Sequence, residues 1–199
     1  MIFKNAMVVA LAAGLLAVSC GNPFTTREPE PPDAGSSNFL DTSTIENVFK
    51  NLENSFRGRN VEVYIRSFVD TTRSQRRFEF EPDPGVAGSR PGTFIGWAIQ
   101  QERQYFSSML QATTPDSVLN LVMTGPFPEI RSESATATRD YVIIVNHSSQ
   151  SGGPRGEFTG QARFFLERDE FGDWSIYRWE DTKTGQDQPS WSELKAFFH

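Results

Sequence analysis

The chain of 199 residues has one cysteine and two histidines. One cysteine excludes an internal disulfide. With only His147 and His199 beside it, the chain offers no ligand set for a Cys/His zinc site. Runs of basic residues are missing as well, and the net charge is −6. That argues against nucleic acid held through its phosphates and removes a polybasic route to anionic lipid. No apolar run reaches the roughly 20 residues of a spanning helix. The glycine-rich stretch "GVAGSRPG" (85–92) lacks the Gly-Lys-Ser/Thr ending of a phosphate loop. "DEFGD" (169–173) has too few ligands for a calcium loop. No metal and no cofactor is expected.

What is present is ordinary for one globular domain: 37% hydrophobic, 22% charged and 13% aromatic residues. Seventeen Phe and four Trp point to an aromatic-rich core or pocket. The lone cysteine has a telling place. Lys4 is followed by "AMVVALAAGLLAV" (6–18), thirteen residues without charge, and then by Ser19, Cys20 and Gly21. This is the layout of a signal peptide with a short positive region, an apolar core and small residues at its end. "LAVSC" (16–20) resembles the lipobox of bacterial lipoproteins, with Ala17 in the usual Leu position. That resemblance implies removal of residues 1–19 and acylation of Cys20. Several acyl chains on one residue give stable anchoring. The implied location is a bacterial cell envelope, with the chain on the outer or inner membrane and its domain in the periplasm.

Residues 20–39 read as the lipidated cysteine and a tether. "GNPFTTREPEPPDAGSSN" (21–38) holds Pro23, Pro29, Pro31 and Pro32 and little apolar material. It cannot bury enough surface to offset its chain entropy. Extended, at about 3 Å per residue, it would span up to roughly 50 Å.

Residues 40–199 carry the folded domain. "STIENVFKNLENSFRGRN" (43–60) predicts a helix with a Ser43–Glu46 capping box and an apolar face of Ile45, Val48, Phe49, Leu52 and Phe56. Gly58 is placed to stop it. Asn60 suits the cap of a second helix over "VEVYIRSFVD" (61–70). "RRFEFEPDP" (76–84) predicts a short edge strand, followed by a loop over 81–93. "WAIQQERQYFSSMLQ" (97–111) predicts a third helix with a stripe of Ile99, Phe106, Met109 and Leu110. Strands are expected at about 117–124, 135–147, 157–168 and 173–182, with a hairpin turn at 169–173. "YVIIV" (141–145), apolar on both faces, reads as a central strand. "PSWSELKAFF" (189–198) predicts a short amphipathic helix that docks Trp191, Leu194 and Phe198.

Helices followed by an antiparallel meander give an α+β class, with N-terminal helices packed on a curved antiparallel sheet. The order resembles the NTF2-like superfamily, also called SnoaL-like or cystatin-like. The residues that carry this are "NLENSFRGRNVEVYIRSFVD" (51–70), the helix around "ERQYFSSML" (102–110) and the strand "GDWSIYRWEDT" (172–182). Thr71 stands where a second acidic residue is common, and the 81–93 loop is long. The resemblance implies a curved sheet around a conical cavity. Some members are isomerases, dehydratases or cyclases with an Asp, His or Tyr in that cavity. Many others are binding or accessory domains, so the fold does not decide the function.

Asp70, Glu102, Asp140, His147 and Asp181 are the acid–base candidates, with Tyr64, Tyr105 and Tyr141 as donors. Spacing selects no pair among them, and no catalytic residue is assigned. Asp70 reads as the close of the second helix and His147 as a surface-loop residue. Tyr64, Phe68, Trp97, Tyr105, Phe106 and Trp174 are candidates for lining an apolar pocket. In strict alternation Tyr177 and Trp179 oppose Trp174 and Ile176, so one pair would face away from the helices as a partner or dimer surface. The leading expectation is a non-catalytic binding or accessory domain for a small apolar ligand or an envelope protein. An acid–base enzyme and a structural subunit using the outer sheet face are the alternatives. The expected partners are the membrane, through its lipid anchor, then such a ligand or protein, or a second copy of the chain; nucleic acid is not among them.

Overall fold

Thr44, one residue later than expected, starts the first helix, α1 (Ile45–Arg57), its hydroxyl accepting from the backbone N–H of Asn47 at 3.3 Å. Ser43 is turned aside because the carboxylate of Asp41 accepts both its N–H and its hydroxyl. The computed structural model describes residues 39–147, 156–185 and 187–199. The expected signal peptide, Cys20 and the expected tether up to residue 38 lie outside the described residues. The described residues from 39 onward belong to one compact unit.

The buried face of α1 is the predicted one, Ile45, Val48, Phe49, Leu52 and Phe56. Asn51 joins it and uses its amide to bracket the backbone of Leu40, with two bonds of 2.8 Å. Gly58 caps the helix in an ordinary right-handed conformation, and Arg59 takes the left-handed turn at φ 50°. Asn60 caps α2 (Val61–Ile65) as predicted, accepting from Val63 N–H at 3.1 Å. That helix ends five residues before Asp70. The chain is drawn onto the sheet instead, where Ser67 O and Val69 N–H bond Ile176 at 3.0 Å each. Asp70 therefore closes no helix; it is exposed and holds a local turn through Thr72.

β1 (Glu79–Glu81) is the predicted short edge strand. The following loop contains a short helix, α3 (Pro84–Ser89), capped by Asp83 with Pro84 in its first turn. α4 (Ile99–Ala112) is the predicted third helix, but its buried face is Glu102, Tyr105, Phe106 and Met109. Ile99 and Leu110 lie at the margin.

The sheet has the order β1-β6-β5-β4-β2, formed by β2 (Leu119–Thr124), β4 (Ser134–Val145), β5 (Gly156–Arg168) and β6 (Trp174–Thr182) with β1. β3 (Glu129–Arg131), which the sequence did not suggest, pairs with the start of β4. Among the described residues the strands pair antiparallel except β1 with β6, which is parallel, as is the isolated bridge between Phe68 and Ile176. β4 is interior to the sheet, as "YVIIV" suggested, although Val142 is exposed on its outer face. α5 (Trp191–Phe198) packs Trp191, Leu194 and Phe198 inward as predicted.

One irregularity in β6 corrects the expected faces. Phe165 pairs with Arg178 and Leu166 with Ile176, so Tyr177 is an extra residue in the ladder. This bulge resets the alternation. Trp174, Ile176, Trp179 and Asp181 all face inward and are buried. Neither expected pair is turned out together: Trp179 faces inward, and Tyr177 lies half-buried beside Phe165, their ring centres 6.3 Å apart, under the guanidinium of Arg76 at 4.1 Å from the Tyr177 ring centre.

Candidate functional site

The polar centre of the domain lies inside the curve of the sheet. Glu102, one turn into α4, is fully buried. Its carboxylate accepts from Tyr64 Oη and from Trp97 Nε1, both at 2.7 Å. It also pairs with Lys195 of α5, whose side chain is equally buried. The ammonium lies 3.7 Å from the ring centre of Trp179 and 3.9 Å from that of Phe80. Tyr105 and Trp97 stand further off at 5.5 and 5.7 Å. Trp179 offers the ammonium its ring face, and its indole N–H has no acceptor among the described residues. Burial pushes the lysine down to about 8, against the pull of Glu102.

A second carboxylate is tied to the same helix. Asp181 on β6 accepts from Tyr141 Oη at 2.7 Å, and from Ser192 N–H at 2.8 Å and its hydroxyl at 2.6 Å. Burial raises its carboxyl, and these donors oppose the shift. Tyr141 Oη also accepts from Trp191 N–H at 2.8 Å, and Tyr105 Oη from the Trp191 indole at 2.9 Å. Gly160 makes this possible. A Cβ there would lie 2.7 Å from Tyr141 Cζ and 2.8 Å from Thr182 O. Only a glycine lets the Tyr141 ring lie across β5 to reach Asp181 on β6. Burial, followed by the carboxylate charges, holds the phenols of Tyr64, Tyr105 and Tyr141 above their ordinary range.

Of the acid–base candidates, the fold brings Glu102 to Tyr64, and Asp181 to Tyr141. Asp70 and Asp140 lie on the surface, where Asp140 accepts from Gln161 at 2.9 Å. His147 is buried against the rings of Phe197 and Phe198, with centres 5.3 and 5.2 Å away, which corrects the surface-loop reading. Among the candidate pocket residues, Tyr64, Trp97, Tyr105 and Phe106 pack in the core around Glu102. Phe68 and Trp174 reach a surface groove of about 550 Å³. Ile65 and Ile99 also line this groove, whose rim mixes Arg66, Arg73 and Arg103 with Asp41, Glu62 and Asp169. Among the described residues no helix is long and apolar enough to cross a membrane, and no cluster of three or more His, Cys, Asp or Glu could hold a metal.

Sequence reasoning missed Lys195 and the depth of Glu102. Both had a signal. Lys195 falls in the stripe Trp191, Leu194, Lys195, Phe198, and Glu102 in the stripe Glu102, Tyr105, Phe106, Met109, each at helical spacing.

No family model matches the sequence, and no curated protein does. Solved structures do share its shape. A candidate dehydratase of the NTF2-like family from Streptomyces avermitilis superposes with a TM-score of 0.51 at 8% identity, over 73% of this chain and 96% of its own. The fold is NTF2-like. A candidate scytalone dehydratase from Novosphingobium aromaticivorans matches at 0.51 and 13% identity, over 73% and 89% of the two chains. A candidate aromatic ring hydroxylase from the same organism matches at 0.54 and 11%, over 77% and 96%. At such identities the likeness extends to the fold and stops there. In this NTF2-like domain the interior of the cone is occupied by Trp191 and Lys195 of α5, which meet Tyr105, Tyr141, Glu102 and the inner sheet residues directly.

Proposed function

We propose that this chain is a lipid-anchored protein of a bacterial cell envelope whose NTF2-like domain is a non-catalytic binding or accessory module. The anchor is supported by the single cysteine, set between a signal-like apolar run and a proline-rich tether. The non-catalytic reading rests on one observation: both buried carboxylates already have partners within the domain, and those partners fill the cone. An envelope partner or a second copy would then use the outer surface. Val122 and Val142, a directly paired couple on β2 and β4, are both exposed there. A small apolar ligand would use the groove beside Phe68 and Trp174.

The anchor is tested by labelling cells with a palmitate analogue. Wild-type chain takes up label and sediments with membranes, and Cys20→Ser does neither; continued labelling of the variant refutes the anchor. The accessory reading is tested by native mass spectrometry of the chain purified from its own membrane, which reports a bound ligand or protein together with its mass.

A second reading, acid–base catalysis of the dehydratase kind, draws on the two tyrosine–carboxylate pairs inside the cone and on the dehydratase names carried by two structural neighbours. It requires α5 to leave the cone, since Tyr141, Tyr105 and both carboxylates are bonded to it.

A further inference from the structure

Lys195 has a chemistry that its packing position does not call for. A methionine would fill the same space without the cost of dehydrating a charge. The walls around the ammonium, moreover, belong to other parts of the chain. Phe80 comes from β1, Trp179 from β6, Tyr105 from α4 and Trp97 from the segment before α4. The counter-ion is on α4 and is oriented without the lysine, because Tyr64 and Trp97 each donate to one of its oxygens. Take the lysine side chain away, and a box of ring faces around a fixed carboxylate is left. Those are the groups by which proteins recognise organic cations.

We propose that the interior of this domain is an alkylammonium-binding site occupied in cis by Lys195, which takes a primary alkylammonium in trans only when that side chain is absent. Primary amines fit because the nitrogen sits in contact with two ring faces, at 3.7 and 3.9 Å from their centres, and pairs directly with Glu102. Methyl groups on the nitrogen would hold it away from both rings and from the carboxylate. The site is independent of the membrane anchor and of the outer-face partner.

The test uses the full chain with Lys195→Ala. That substitution keeps Cβ and removes three carbons and the nitrogen, a void with the composition of n-propylammonium. Thermal unfolding is followed in n-propylammonium chloride, n-propanol and tetramethylammonium chloride at equal concentration and ionic strength. Propylammonium is expected to raise the Tm of the variant by several degrees and to leave wild type unmoved, while the other two raise the Tm of neither protein; this is the stabilisation expected of a ligand that binds only the folded state. Adding Glu102→Gln to the variant is expected to abolish the effect. Should Lys195→Ala be unfolded alone, its refolding from urea is followed by tryptophan fluorescence, and folding in propylammonium but not in propanol is the expected result. The proposal is overturned by a variant that propanol stabilises as well as propylammonium does. It is equally overturned by a folded variant whose Tm the amine leaves unchanged, or an unfolded one that the amine does not restore.

Discussion

Replacing Lys195 by methionine strips the interior of its cation and keeps its volume. Glu102 is then left fully buried, with the neutral donors Tyr64 and Trp97 as its remaining partners. Breaking a buried ion pair from one side costs ~3–5 kcal/mol. For a domain of this size each kcal/mol moves Tm by ~2–4 °C, so a fall of roughly 6–20 °C is expected. Adding Glu102→Gln should recover most of it. The glutamine oxygen can accept from the Trp97 indole, and its amide can donate to Tyr64 Oη as the hydroxyl turns away. The expected coupling between the two sites is therefore ~2 kcal/mol or more, read from urea unfolding of wild type, both single variants and the double. A pH series adds a second readout. The folded chain releases the Lys195 proton near pH 8, whereas an unfolded lysine keeps it to about 10.5. Between those values the unfolded state binds more protons, so this group makes folding more favourable as pH rises. Lys195→Met should lose that rise. A single variant costing under ~1 kcal/mol, or a double variant equal to the sum of the singles, would refute the reasoning.

The buried phenols act in the opposite sense at higher pH. Tyr64, Tyr105 and Tyr141 have folded pKa values above the unfolded value, so their contribution is fully present below about pH 10 and falls away above it, by ~1.4 kcal/mol per pH unit for each. Their tyrosinate absorbance should appear only with global unfolding; ionisation while near-ultraviolet circular dichroism stays native contradicts the burial described. Gly160→Ala should destabilise the domain by at least the ~1–3 kcal/mol typical of overpacking, since the new methyl collides with Tyr141. Unchanged urea unfolding for that variant would show that the ring can move aside at no cost.

Element types were legible because the apolar pattern of α1 and β5 agrees with local chemistry at every position. Boundaries failed where two local choices competed. Ser43 and Thr44 are both good caps, and Asp41 decides between them by taking Ser43. The segment 66–70 continues a helical pattern, but the open backbone edge at Ile176 recruits it. The α3 helix was within reach, since Asp83 followed by Pro84 is a helix-start signal. The site failed for a different reason. A charged residue inside an apolar stripe reads as its interruption, so Glu102 shifted the inferred face of α4, and Lys195 went unnoticed among aromatic neighbours. That each is buried becomes intelligible only once the other is seen, and they lie 93 residues apart.

The extra residue at Tyr177 bears on how this chain can change in length. The inward set Trp174, Ile176, Trp179 and Asp181 departs from strict alternation by one position. Deleting Tyr177 would turn it into a regular two-residue repeat with every one of those side chains still facing the interior. The same deletion in the middle of β5, where Phe158, Ala162, Phe164 and Leu166 alternate without a break, would turn half the strand inside out. Strand β6 thus holds one position where a codon can be lost without the core changing sides.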